Sequence, residues 1–451
     1  MNYAFDNDTR LIEVQVNIHF DDEVLSVTKD NYLISCNILE ELSCDDSSPL
    51  GTVSSNELEF ELYNQDDMFT PTNSSGAYYG KIKTNCKVDV LIREELSNGS
   101  WIKMGSYYVS DWKCYQYSNT VLVTCNDKMQ SIINMKTPNV PIQSNISVKN
   151  FLTSLLIGIG LNGSDFEIDD TLSSQYMKYS YPHSSNLGEV LTEIAKSYLC
   201  YIYINRNNVL QVVSMLNFNS DVIATWSDDN QIVEPSVETS IIYNNTSVIV
   251  KYLNKYIGPV ENMIELTKLT LPTGESILDT IITKEPIYEV DAVICECKNL
   301  ILTSSISQST NELSIVLDNK HVTEQENVDV TICGKAIKNN STLYISKVID
   351  NIDDDDRPLE ISSEYIDNRD IATQVCDIMY NYITEDVPFI DLVIRGNPEI
   401  QVGSVVTIND TTNKINGDYI ITSQKFTFND SLECTVRCLN KSILKGVRIC
   451  Q

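Results

Sequence analysis

The chain has 451 residues, with 32 Lys plus Arg against 63 Asp plus Glu and a formal net charge of −31. At roughly 100–200 residues per domain it holds about two to four domains, and 42% hydrophobic with 21% charged residues excludes disorder, collagen and coiled coil. So acidic a surface repels nucleic-acid phosphates and anionic lipid heads, which excludes specific nucleic-acid binding but not DNA passing nearby.

Gly (16) and Pro (12) are scarce while Tyr (24) is abundant, a balance that favours strands joined by Asn, Asp and Ser turns. The N-terminus has no basic region followed by an apolar one, so no signal peptide is expected. The longest apolar run, 151–161, contains Thr153 and Ser154 and falls short of a membrane span. The 13 Cys are scattered. Cys295 with Cys297 and Cys434 with Cys438 are the close pairs, and neither has the second pair or His cluster of a zinc site. They read as reduced, small core residues.

Residues 11–20 alternate, with Ile12, Val14, Val16, Ile18 and Phe20 on one face and Glu13, Gln15, Asn17 and His19 on the other. That is a half-buried antiparallel strand. Residues 57–62 repeat the pattern, further strands are expected at 87–93, 102–110 and 120–125, and Asn98-Gly99 reads as a turn. A barrel or sandwich is therefore expected over 1–137. Pro138 and Pro141 mark a linker. Val148, Phe151, Leu152, Leu155, Leu156 and Ile159 then share one helical face, and Leu187, Val190, Leu191, Ile194, Ala195 and Tyr198 another. Asn186 with Glu189 forms a capping box for the second helix. With a hairpin over 200–214 turning at 205–208, residues 138–235 read as an α+β module. Residues 236–357 are β-rich, with a break at Gly258-Pro259 and an acidic loop over 350–356. That loop fails as a calcium-binding EF-hand because Arg357 falls at a ligand position and no Gly supplies the turn. A last helix is expected at 368–384, on the face of Ile371, Val375, Ile378, Met379 and Tyr382. Strands follow over 389–440, with Asn416-Gly417 as a hairpin turn.

An internal echo links the two ends. At an offset of 312, Gly105 matches Gly417, Tyr107 matches Tyr419 and Lys113 matches Lys425; Val109 falls on Ile421 and Ser110 on Thr422. Each copy reads as a Gly turn feeding a strand that carries Tyr and a β-branched residue, which implies two barrels of one type.

The catalytic inventory is thin. Of the three His, His19 lies on a polar strand face, His183 sits on a loop beside Ser184 and Ser185, and His321 reads as a turn residue. Sequence neighbours rarely make a nucleophile–base pair, and no G-x-S-x-G elbow occurs. Glu40-Glu41 and Asp169-Asp170 read as surface. Neither phosphate-binding glycine motif is present, so no cofactor is expected. Cations gather at Arg437, Lys441, Lys445 and Arg448, either as a solvated tail or as a docking peg for an acidic partner.

Residues 54–71, with Asn56, Leu58 and Phe60 on one strand and then Phe69 and Pro71, are followed by Tyr78-Tyr79-Gly80-Lys81 and the strand 87–92. This resembles the N-terminal barrel of phage tail hub proteins, where N-E-L-x-F-x-L-x-N leads to F-x-P, Y-Y-G-K and a strand. The stretch 396–408, with Gly396, Pro398 and Gly403, followed by Gly417 and Tyr419, is similar to the other end of such hubs. The resemblance implies a mainly β, multi-domain chain with two tube-like antiparallel barrels and smaller α+β modules, the second barrel with a helix and basic tail over 358–451. It implies a non-enzymatic virion protein of the tail baseplate, assembled in the host bacterial cytoplasm. As a homotrimeric hub it would present six barrels to a six-fold tail tube, adapt them to a three-fold central spike or tip protein, and form part of the DNA channel. Its partners would be itself, the tube or distal tail proteins, the spike and the tape measure protein, with no specific nucleic acid and no membrane span. With only a short stretch after Cys438, no appended hydrolase domain is expected. Two other readings remain: a receptor- or carbohydrate-binding tail-tip protein, which predicts exposed aromatic clusters in loops, and a cell-wall hydrolase, which predicts an acid/base or metal constellation.

Overall fold

The computed structural model describes residue 5 and residues 10–43, 48–96, 100–218, 221–228, 231–236, 245–295, 305–308, 312–349 and 357–447. The Asn98-Gly99 turn, the 350–356 loop, Cys297 and Arg448 lie outside the described residues.

The N-terminal unit comprises β1 (Ile12–His19), β2 (Val24–Val27), β3 (Leu33–Glu41), β4 (Glu57–Tyr63), β5 (Lys87–Glu94), β6 (Ile102–Tyr115), β7 (Thr120–Asn126) and the short helix α1 (Lys128–Ile133). The α+β module follows with β8 (Gln143–Ser147), α2 (Val148–Gly158), β9 (Phe166–Ile168), β10 (Tyr176–Ser180), α3 (Leu187–Tyr198), β11 (Cys200–Ile204) and β12 (Leu210–Ser214). Next come β13 (Ala224–Ser227), β14 (Ile232–Ser236), β15 (Ser247–Ile257), β16 (Glu261–Leu271), β17 (Gly274–Ile282), β18 (Ile287–Cys295), β19 (Ser305–Gln308), β20 (Glu312–Asn319), β21 (Gln325–Val348) and β22 (Pro358–Ser362). The chain closes with α4 (Arg369–Thr384), β23 (Phe389–Ile394), β24 (Val405–Asp410), β25 (Ile415–Asn429) and β26 (Ser431–Asn440).

Alternation dictates the first unit. Val14, Val16 and Ile18 of β1 and Leu58, Phe60 and Leu62 of β4 are buried, while Glu57, Glu59 and Glu61 face away from the core. The two ends of the chain do not build separate barrels. They are half-barrels in one 13-stranded sheet, ordered β14-β23-β26-β25-β3-β4-β7-β6-β5-β1-β2, with β24 on β25 and β13 on β24. One apolar core, from Phe5 to Cys438, fills both. β13 and β14 pair with β24 and β23. Short strands carry little local signal of which sheet will take them.

The three expected helices form at the expected places. Asn186 caps α3, accepting from Glu189 N at 2.9 Å. Their apolar faces share a second core with β11, β12 and the start of β15. β21 is the spine of the middle region: its first half pairs with β16 and β18, its second half with β15. A small third core of Leu271, Ile287, Leu313, Ile315, Leu317, Val328, Val330 and Ile332 supports this outlying sheet.

The echo is structural. β6 and β25 are both bulged against their hairpin partner at equivalent positions, between Val109 and Asp111 and between Ile421 and Ser423. At each bulge a hydroxyl donates to the carbonyl just beyond it: Ser110 Oγ to Thr124 O at 2.9 Å, and Thr422 Oγ1 to Arg437 O at 3.2 Å. The strand before each is held alike. Asn85 N bonds Val109 O and Val109 N bonds Cys86 O; Gly403 N bonds Ile421 O and Ile421 N bonds Ser404 O. Asn85 and Gly403 both have positive φ, 64° and 84°. The equivalence extends to β3–β4 and β14–β23. Leu33 opposite Leu62 corresponds to Ile232 opposite Ile394, and a register shift follows each, before Ser35 and before Glu234.

A turn expectation is also corrected. Asn416-Gly417 is not a turn but lies within β25, opposite Asn409 and Ile408, and Gly105 likewise lies within β6. The preceding turn is at 411–414. At Gly105 glycine is needed for space, since a Cβ there would lie 2.7 Å from the Tyr107 ring, whereas a Cβ on Gly417 would make an ordinary contact with Tyr419 at 3.5 Å.

Candidate functional site

The described structure converges on the seam between the half-barrels. The C-terminal half of β25 pairs with β3, from Ser423 opposite Glu41 to Phe428 opposite Cys36, while its N-terminal half pairs with β24. The loop between β23 and β24, which carries Gly396 and Pro398, lies against this junction and is gripped by two arginines. Arg10 donates to the carbonyls of Arg395, Gly396 (2.7 Å) and Leu432 (2.8 Å). Arg206 donates to the carbonyls of Pro398 and Ile400 (3.3 Å).

Arg206 projects from the β11–β12 turn and also forms a two-point ion pair with Glu40 of β3, Nε to Oε1 at 2.5 Å and Nη2 to Oε2 at 2.7 Å. Gln424 of β25 donates to the same carboxylate. The side chains of Arg206 and Glu40 are only 8% and 5% exposed. Glu40, expected on the surface, is thus buried at the meeting point of both half-barrels and the module. Its place on the face of Cys36 and Ile38 is the signal that marks it. Arg206, hidden in an Asn-rich turn, gives no local signal.

A second pin lies beside it. Asn56 accepts from Glu41 N (2.9 Å) and donates to Ile204 O (2.8 Å). Its own N–H donates to Asp127 Oδ2 at 2.9 Å. Asp127 also caps α1 through Met129 N and accepts from Ser55. Burial pushes its carboxyl up to about 6 even so.

The remaining expected motif residues are framework. Leu58 and Phe60 are core. Phe69 is fully buried, its carbonyl accepting from Trp112 Nε1 at 3.0 Å, and its ring stacks on Tyr78 at 5.2 Å. Tyr78 rather than Tyr79 does the packing; Tyr79 is exposed and Gly80 turns with φ 74°. Pro71 is half-buried. Gly396 has φ 73°, and Tyr419 is buried. Arg437 is held by Asp391 at 3.3 Å and lies over the Phe389 ring, whereas Lys441 is half-buried and Lys445 exposed.

The candidate catalytic groups are engaged elsewhere. His19, one-third exposed on its polar strand face, contacts Asp89 at 2.8 Å. His183 sits edge-on to Tyr365 at 5.0 Å, and burial lowers its pKa. Ser184 donates to Glu189, not to His183. A cavity of about 900 Å³ beside this loop is lined by His183, Glu189, Glu193, Lys251 and Glu364. Among the described residues no group of three or more His, Cys, Asp or Glu is arranged to hold a metal, and no helix is long and apolar enough to cross a membrane.

No family model and no curated protein matches the chain. Solved structures do. The chain has the fold of the 43 kDa tail protein of prophage MuSo2 from Shewanella oneidensis, at a TM-score of 0.56 and 8% identity over 96% of this chain and 100% of that one. It is equally similar to the tail protein from Neisseria meningitidis MC58, at 0.55 and 9% over 96% and 98%. At such identities the shared property is the fold: mainly β, multi-domain, that of prophage tail proteins.

Proposed function

We propose that the chain is a non-enzymatic structural protein of a phage tail tip, a baseplate hub that assembles as a homotrimer in the virion. It joins a six-fold tail tube, or distal tail proteins, to a three-fold central spike or tip protein and encloses part of the path of the DNA and tape measure protein. The observation that carries this is the duplication. One chain holds two quasi-equivalent half-barrels, alike down to their bulges and joined edge to edge, so three chains supply six barrel units. Three-fold symmetry with six repeated faces is what an adaptor between such symmetries needs.

Charge supports the channel. Glu57, Glu59 and Glu61 form a row on the side of β4 away from the core, and an acidic wall repels phosphate and lets DNA slide. Lys441, Lys445 and Arg448 are proposed as a docking element for an acidic neighbour.

Single-particle images of the purified protein test this reading: rings with six lobes and three-fold symmetry are expected, and particles of two- or four-fold symmetry would overturn it. One observation favours a receptor- or carbohydrate-binding role. Tyr63, Tyr115 and Tyr117 are exposed around the β6–β7 hairpin tip, Tyr117 completely. Glycan binding that is lost in Tyr117→Ala would support that second reading.

A further inference from the structure

We propose that Lys441 and Lys445 of one chain dock in an acidic groove of a second copy, the groove between α3 and the sheet of β15 and β21. The inference rests on the hub reading and identifies the acidic neighbour that these lysines address.

The groove is a cavity of about 900 Å³. Leu253 of β15 and the opposed Thr342 of β21 form its floor, with Lys251 beside them. Glu189 and Glu193, one turn apart on α3, form its wall. The loop before α3 adds His183, and the chain after β22 adds Glu364. The negative charge is left unbalanced. Lys251 is held by Glu360 at 2.6 Å, and Lys255, itself buried, stands 3.5 Å from Glu364. Glu189 accepts from the neutral hydroxyl of Ser184, and neither it nor Glu193 has an ion pair among the described residues. His183 Nδ1 is buried without a hydrogen-bond partner. An ammonium group, with three donors and a positive charge, suits two carboxylates and an unpartnered ring nitrogen.

The cations that would enter stand on a fixed support. Lys441–Leu444 is a single 3₁₀ turn capped by Asn440, which accepts from Ser442 N at 3.0 Å. Ile443 is buried, and Asn381 of α4 donates to the carbonyls of Ile443 (2.8 Å) and Lys445 (3.2 Å). The segment is therefore anchored rather than a solvated tail. Lys445 is exposed, Lys441 is half-buried, and neither forms an ion pair among the described residues.

Placement makes the contact intermolecular. α4 shares a core with Val248, Val250 and Ile345 on one face of the sheet, and Lys347 on that face reaches Asp377 of α4 at 2.9 Å. The groove opens on the other face, that of Lys251 and Leu253. Helix and sheet thus separate the lysines carried on α4 from the groove of their own chain. A surface that pairs with a different surface on the next copy makes a head-to-tail contact, which closes into a ring when the rotation per step divides a full turn. Charge favours the same pairing. Chains of −31 repel one another, so an interface between them gains by setting cations of one against carboxylates of the other.

Carbodiimide cross-linking of the native particle, followed by peptide mass mapping, tests the contact without altering the fold. Amide bonds joining Lys441 or Lys445 to Glu189, Glu193 or Glu364 are expected in the trimer band and absent from the monomer. Charge reversal is the second arm, in chains whose circular dichroism matches wild type. Lys441→Glu with Lys445→Glu, or Glu189→Lys with Glu193→Lys, should weaken trimer formation about tenfold or more at low salt. The four reversals together should restore it. A three-chain particle that gives no such cross-link, that survives either pair of reversals, or that the combined reversal does not restore, overturns the pairing and leaves the hub reading standing. A wild-type chain that forms no three-chain particle at any concentration overturns both.

Discussion

Replacing Arg206 by methionine strips the seam of its cation while leaving Glu40 buried. In the native structure the guanidinium supplies both donors of a two-point ion pair and also holds the Pro398 and Ile400 carbonyls, and both charged side chains are more than nine-tenths covered. Removing one partner of such a pair costs about 3–5 kcal/mol, because the remaining charge stays desolvated. Gln424 alone remains to donate to the Glu40 carboxylate from the groups described. Replacing both charges by apolar groups of similar volume removes that penalty, so Arg206→Met with Glu40→Met should be no less stable than the worse single variant. The coupling between the two should then be at least about 2 kcal/mol. Urea denaturation followed by tryptophan fluorescence measures it, with Trp226 buried in the shared core as a reporter. Single variants within about 1 kcal/mol of wild type, or a double variant equal to the sum of the singles, would refute the claim that this pair locks the seam.

Asp127 should make stability depend on pH. Its carboxyl stands at about 6 in the fold, raised by burial from an ordinary 3.8, so it favours the folded state in its protonated form. That stabilisation is complete below pH ~4 and is lost as pH rises through about 6, roughly 3 kcal/mol at 1.36 kcal/mol per unit. Asp127→Asn keeps a capping side chain on α1 and should abolish this part of the pH profile; an unchanged profile between pH 4 and 6 would count against it. The glycines of the echo should respond unequally. Gly105→Ala meets the fully buried Tyr107 ring at 2.7 Å on a backbone with φ 153°, and should cost about 2 kcal/mol or more, whereas Gly417→Ala, whose Cβ makes an ordinary contact with Tyr419 at 3.5 Å, should cost less than about 1. Equal melting temperatures for the two variants would contradict the packing argument.

What was legible in the sequence follows from the range of the interactions involved. β1 and β4 betray themselves because alternate residues meet either core or solvent. α2, α3 and α4 do so because five or six apolar residues fall on one face of each. The echo was visible where a glycine, the tyrosine packed over it and a lysine recur at constant spacing. Its continuation was not, because β3–β4 and β14–β23 preserve only alternation and a bulge, and insertions between them destroy the constant offset. Gly105 and Gly417 were misread as turn residues because glycine serves two needs, positive φ and close approach, and the sequence does not say which. The node at Arg206 depends on four segments distant along the chain. Only the parity of Glu40 with Cys36 and Ile38 hinted that a carboxylate there must find a buried partner.

The central claim is that three copies of this chain supply six equivalent half-barrels to one ring. Native mass in solution tests it most directly. A particle of three times the 50.9 kDa chain is predicted; a stable dimer or tetramer would contradict it.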